Sequence, residues 1–216
     1  MKPIVLFLDF DDVICLNEIY GAYDVMLALR EVEKAEKTLE DFADMWHRLF
    51  DADAKAHLKA IHDEFEPQYV LSSSWIKTMD RDALVEVFNQ TGLGFIADNL
   101  HPTWRTTDEQ KGGVRADEIG GWLRRHPELK DQWIVLDDAH SGTGLLDWSQ
   151  SGASSFITLC QMNVGLSLVE YQQLRAGFMA RAAFETNSNE GGDVWQDVQA
   201  DDQEEALGRP TEVESC

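Results

Sequence analysis

The stretch Ile4-Val5-Leu6-Phe7-Leu8-Asp9-Phe10-Asp11-Asp12 decides the fold. Apolar residues run without a break into a cluster of acids. Continuous apolar character, rather than alternation, predicts a strand covered on both faces, as in a parallel sheet. Working outward, Tyr69-Val70-Leu71 is a second such run and ends at Ser72-Ser73-Ser74. Ile134-Val135-Leu136 is a third and ends at Asp137-Asp138. Phe156 to Leu159 predicts a later strand, and Phe95-Ile96-Ala97 predicts another.

Helical patterns separate these runs. Asp82 to Gln90 carries Ala83, Leu84, Val87 and Phe88 at helical spacing, and Gly92 stops it. Ala116 to Arg125 carries Ile119, Trp122 and Leu123, with Pro127 beyond its end. Ser167 and Glu170 form a capping box ahead of a helix over Val169 to Met179. Alternating strands and helices predict an α/β fold with a doubly wound, mainly parallel sheet. Residues 15 to 67 are too many for one crossover. Phe50 to Phe65 reads as the crossover helix, with Ala54, Leu58 and Ile61 on one face. The remainder, residues 16–49, is a small helical insert after the first strand. Its position over the strand's carboxyl end, where open α/β sheets bind ligands, makes it a candidate lid; the alternative is a structural helix pair.

The 216 residues, 44% of them apolar, suit one domain with a real core and exclude a wholly disordered chain. Forty acids against 18 bases give a net charge of −22. That balance excludes a general nucleic-acid coat and an anionic membrane surface, and no extended duplex binding is expected. Local anion binding through a metal stays compatible with it. Ten acids and one base fall between Glu185 and Cys216. The expected division is therefore a domain over residues 1–184 and an acidic, disordered tail over 185–216. Cys15, Cys160 and Cys216 show neither a CxxC pair nor zinc spacing, which suits a reducing compartment. No apolar stretch is long enough for a membrane span and no secretory pattern opens the chain, so the expected location is cytoplasmic.

In a parallel sheet the ends of the three apolar runs share one edge. Four or five carboxylates then meet in a small space, and their repulsion calls for a hard divalent cation such as Mg²⁺. The chemistry open to such a site is phosphoryl transfer. A carboxylate at a strand end can attack phosphorus, and a second carboxylate two residues on can protonate the leaving oxygen and then activate water. A hydroxyl at the neighbouring strand end can bind a phosphoryl oxygen. A cation can neutralise the group in transfer, and either Lys111 or Arg115 stands in the right part of the chain.

The order Asp-x-Asp, Ser, basic residue, Asp-Asp resembles the haloacid dehalogenase (HAD) superfamily. Leu71-Ser72-Ser73-Ser74-Trp75, Arg115-x-x-Glu118-Ile119-x-x-Trp122-Leu123 and Gly165-Leu166-Ser167 are similar to the HAD domains of Swiss army knife RNA repair proteins. The resemblance covers roughly residues 1 to 180. It implies a HAD-like Rossmannoid fold and a Mg²⁺-dependent phosphatase working through an aspartyl-phosphate. Asp9 would be the nucleophile and Asp11 the general acid/base. Ser72, with Ser73 beside it, would hold the phosphoryl group, and Arg115 or else Lys111 would be the cation. Asp9, Asp137, Asp138 and the backbone carbonyl of Asp11 would serve the metal. The implied substrate is a phosphorylated small molecule or a nucleic-acid end.

Two positions depart from the pattern. The family usually has glycine after the second Asp, and this chain has Asp12. A basic residue usually follows the tryptophan, and here Ile76 follows Trp75. The first change adds a negative charge; the second removes a contact to a nucleic-acid backbone. Asp147 is a further acidic candidate, and His140 a candidate for touching substrate. Trp75, Trp104 and Trp122 read as packing residues. A phospho-acceptor domain of the receiver type is disfavoured, because there the acceptor ends the third strand. A catalytically degenerate HAD-fold binding module is the competing reading.

Overall fold

A computed structural model of the chain describes residues 3–16, 18–106, 113–149 and 153–190. The strands are β1 (Val5–Leu8), β2 (Gln68–Leu71), β3 (Leu100–Arg105), β4 (Trp133–Asp138) and β5 (Ile157–Cys160). They form one sheet in the order β3-β2-β1-β4-β5, with every pairing parallel. The first strand is central, and the chain winds outward to one side and then to the other. This is the doubly wound arrangement, and its topological switch point lies between β1 and β4.

The sheet's residues alternate between two cores. Leu6, Leu8, Tyr69, Leu71, Ile134 and Leu136 face one cluster; Val5, Phe7, Val70 and Val135 face the other. Both faces being covered explains why β1 reads as an unbroken apolar run. The first cluster is closed by α3 (Ala52–Phe65) and α4 (Arg81–Thr91), the second by α6 (Arg115–Arg125). Asp51 caps α3 by accepting from Ala54 N–H at 2.8 Å, and Ala54, Leu58 and Ile61 are its buried face. Asp80 caps α4 in the same way, and Gly92 ends it at φ +80°.

The stretch 16–49 holds α1 (Ala22–Glu33), a 3-10 turn over Leu39–Phe42 and α2 (Ala43–Arg48). Val25, Ala28, Met45, Trp46 and Leu49 anchor it in the first core. The last helix, α8 (Leu168–Glu190), begins as the capping pattern implies, with Val169 N–H donating to Ser167 Oγ and that hydroxyl bonded to Glu170. A compact unit spans Met1–Ala182 and a second unit Ala183–Cys216. Residues 191–216, most of the acidic tail, lie outside the described residues.

One strand expectation is corrected. Phe95-Ile96-Ala97 lies in the short helix α5 (Gly94–Asp98), and the strand is β3, just beyond it. A three-residue apolar run is too short to separate helix from strand. The true strand, LHPTWR, is an edge strand of partial burial, which tolerates Pro102 and shows no continuous apolar signal. Among the described residues, no helix is long and apolar enough to cross a membrane.

Candidate active site

Register brings the strand ends together. Leu8 is level with Leu71 on one side and Leu136 on the other. Asp9 N–H donates to Leu136 O, and Ser72 N–H donates to Leu8 O, each at 3.0 Å. Asp9, Ser72 and Asp137 therefore emerge side by side at the switch point, all buried. Asp9, Asp137 and Asp138 each offer an oxygen within 4.8 Å of the others. Three carboxylates this close, largely out of water, repel unless a cation joins them.

Arg115 supplies part of that charge. Its Nη2 lies 3.5 Å from Asp9 Oδ1, its Nε 3.0 Å from Asp137 Oδ2 and its Nη1 3.4 Å from Glu118 Oε2. The contact to Asp137 is an ion pair without hydrogen-bond alignment, so Arg115 Nε and Asp137 Oδ2 both lack a hydrogen-bond partner. The start of α6 is tied to the loop after β4: Arg115 N–H donates to Thr143 Oγ1 and Ala116 N–H to Thr143 O, both at 3.0 Å. This fixes the guanidinium over the acids.

The electrostatics follow from burial. Burial pushes Asp9 up to about 6, against the opposing pull of Arg115 and a hydrogen bond from Ser73. Burial, and next the Asp9 charge, hold Asp137 well above the usual carboxylate range. Burial also opposes the charge on Arg115, but Asp137, Asp9 and Glu118 together keep its pKa above the ordinary value. Asp9 Oδ1 and Ser72 Oγ are buried without a hydrogen-bond partner. Such groups are costly to leave unmade, and a bound cation and an oxyanion are the chemistries that would complete them. The hard oxygen donor set fits Mg²⁺.

The other expected residues are distributed around this centre. Asp11 accepts from Ser74 Oγ and Trp75 Nε1, each at 3.1 Å, and its charge is felt at Asp9. Ser73 caps the turn over Ser74–Lys77 as well as bonding Asp9. Asp147 lies exposed on α7 (Leu145–Ser149), apart from the triad. His140 is exposed, and only its backbone N–H reaches Asp138. Lys111 lies outside the described residues. Asp12 occupies the left-handed region at φ +55°, where glycine is the easiest residue, and its Oδ1 accepts from Asn163 N–H at 2.8 Å.

Sequence reasoning missed the loop Ser141-Gly142-Thr143. Ser141 Oγ bonds Asp138 Oδ2 and reaches Asp9 Oδ2 at 3.3 Å, and its N–H donates to Asp138 Oδ1 at 2.8 Å. A Cβ on Gly142 would stand 2.5 Å from the Asp138 carbonyl and 3.2 Å from Asp137 Oδ1. The run Ser141-Gly142-Thr143, separated by two residues from the Asp-Asp pair, was the available signal.

Residues 5–170 match the model of a family described as the HAD domain in Swiss Army Knife RNA repair proteins. No curated protein and no solved structure matches the chain.

Proposed function

Since the chain belongs to that family of HAD domains, we propose that it is a Mg²⁺-dependent phosphohydrolase that removes a phosphoryl group from a nucleic-acid end through an aspartyl-phosphate. The observation that carries this reading is the buried triad Asp9, Asp137 and Asp138, opposed by Arg115 and bordered by the unpartnered Ser72 hydroxyl.

In this reading an Asp9 oxygen attacks phosphorus, and the bond from phosphorus to the leaving oxygen breaks. Asp11, held by Ser74 and Trp75, gives that oxygen a proton and later takes one from the water that hydrolyses the acyl phosphate. The Ser72 hydroxyl donates to a phosphoryl oxygen. Arg115 favours the ionised form of Asp9, against burial, which favours the protonated one. Asp9, Asp137 and Asp138 would hold Mg²⁺, with the Asp11 carbonyl as a further ligand. Its part is to neutralise charge on the group in transfer.

The test is phosphate release from p-nitrophenyl phosphate, mononucleotides and RNA oligomers bearing 3′- or 5′-phosphates, with and without Mg²⁺. The expected outcome is Mg²⁺-dependent release that falls by about 10³-fold or more in Asp9→Asn, with the fold retained by circular dichroism. Release that survives Asp9→Asn would overturn the mechanism. A folded protein that binds Mg²⁺ but releases phosphate from nothing would favour the binding-module reading.

A further inference from the structure

The two flanks of the site differ. Beyond β5 the chain presents Met162 and Val164, both half-exposed, and the neighbouring Asn163 N–H is spent on Asp12. Beyond β2 and β3, the described residues offer buried hydroxyls and two cations. Thr106 N–H donates to Leu71 O at 3.0 Å, which sets Thr106 beside Ser72 at adjacent strand ends. Thr106 is 2% exposed, and its Oγ1, like that of Ser72, has no hydrogen-bond partner. Two such hydroxyls at neighbouring strand ends extend the floor of the site from β2 to β3.

Two cations stand by this floor. Arg105 is exposed, with its guanidinium 5.1 Å from the Trp104 ring centroid and Nη1 donating to Ile76 O at 3.4 Å. Lys77 Nζ lies 4.0 Å from Glu118 Oε1, and Glu118 in turn touches Arg115. One cation is thus planted on an aromatic ring and tied to the turn over Ser74–Lys77. The other is linked through a single carboxylate to the buried arginine.

We infer that this flank is a subsite for a second phosphate: the phosphorylated end enters at Asp9, and the strand leaves over Thr106 toward Arg105 and Lys77. The end of β3 is two strand spacings from that of β1, about 10 Å, which the adjoining nucleotide can span. A guanidinium on an aromatic face offers phosphate a planar, paired set of donors, and the lysine adds a point charge. The inference rests on the phosphohydrolase reading and adds that the ligand is a short single strand rather than a mononucleotide. Two cations suffice for one phosphate, which reconciles such a substrate with a net charge of −22.

The experiment compares the wild type with the double variant Lys77→Ala/Arg105→Ala. The substrates are a mononucleotide and a single-stranded RNA tetramer carrying the same terminal phosphate. In the wild type, kcat/KM should favour the tetramer. In the variant the tetramer-to-mononucleotide ratio should drop about tenfold, through KM, and the salt dependence for the tetramer should flatten by roughly one logarithmic unit per unit of log salt. An unchanged ratio would overturn the subsite. Equilibrium binding of the tetramer, read by fluorescence anisotropy in Mg²⁺, separates this failure from failure of the hydrolase reading. A wild type that hydrolyses nothing but binds the tetramer more tightly than the mononucleotide, with that preference lost in the variant, upholds the subsite; equal binding refutes it.

Discussion

Arg115 and Arg181 are both almost fully buried, at 8% and 4% exposure, at opposite edges of one sheet. At the amino edge Arg181 packs 3.3 Å from the Phe156 ring centroid and 5.1 Å from that of Trp133, and its Nε donates to Trp133 O at 3.2 Å. Among the described residues its acidic partner is Asp131, which is exposed and 3.8 Å away. Burial lowers its pKa to about 10, and Asp131 only partly offsets this. At the carboxyl edge Arg115 faces Asp9, Asp137 and Glu118, with Asp138 beside them, and oxygens remain unpartnered. The first arrangement settles one charge with rings and a carbonyl. The second gathers more negative charge than its arginine can neutralise. Folding alone has no use for that surplus, so the carboxyl edge is built for something that arrives later.

The largest expected difference between the edges is in activity. Arg115→Met should lower phosphate release by about 10²- to 10³-fold, the loss typical of removing one preorganised charge. Arg181→Met should leave it within about twofold. Without metal, Arg115→Met should also cost about 3–5 kcal/mol of stability at neutral pH, because the acids lose their counter-charge. Denaturant melts in EDTA measure this, and Mg²⁺ should recover part of the loss at Arg115 and none at Arg181. Equal losses of activity at both arginines would erase the distinction.

Proton linkage sharpens the same contrast. Asp9 has a folded pKa of about 6 against an ordinary 3.8. The folded chain therefore holds a proton that the unfolded chain has released. In the absence of metal this gain is full below about pH 4 and is lost as pH rises through 6. The amplitude from Asp9 is about 3 kcal/mol, and Asp137 adds to it in the same direction. Asp9→Asn should flatten the profile, whereas Arg181→Met should leave its shape unchanged, since Arg181 titrates far from this range.

The edges also differ in how far they could be read from residues alone. Asp9, Ser72 and Asp137 were legible because each ends an apolar run, and parallel strands put their ends on one edge. Arg115 was legible as a cation ahead of the third run, but not as the partner of Glu118, a contact made by one turn of α6. Ser141 and Gly142 were hidden because a loop, not a period, carries them to Asp138. The edge strand β3 was hidden because partial burial erases the apolar signal on which strand assignment depends.

A matched pair of glycines offers a smaller effect. A Cβ on Gly142 would meet the Asp138 carbonyl at 2.5 Å, and one on Gly177 would meet the Ser155 carbonyl at 2.6 Å. Each Gly→Ala change should cost about 1–3 kcal/mol, as overpacking against backbone does. Only Gly142→Ala should also weaken Mg²⁺ affinity by isothermal titration, because only there does the intruding carbon press on the triad.

The smallest expected effect is at Asp12, and opposing terms make it so. The residue holds φ +55°, which costs a side-chain-bearing residue about 1 kcal/mol relative to glycine. Its carboxylate recovers a similar amount by accepting from Asn163 N–H at 2.8 Å. Asp12→Gly should therefore change stability by less than about 1 kcal/mol, although it removes a contact between loops far apart in sequence. Asp12→Ala keeps the backbone cost, discards the hydrogen bond and should be the less stable of the two by about 1 kcal/mol. Thermal melts of both variants order these terms. Were Asp12→Ala as stable as Asp12→Gly, the left-handed backbone would carry no cost here, and the aspartate would need no explanation from its bond to Asn163.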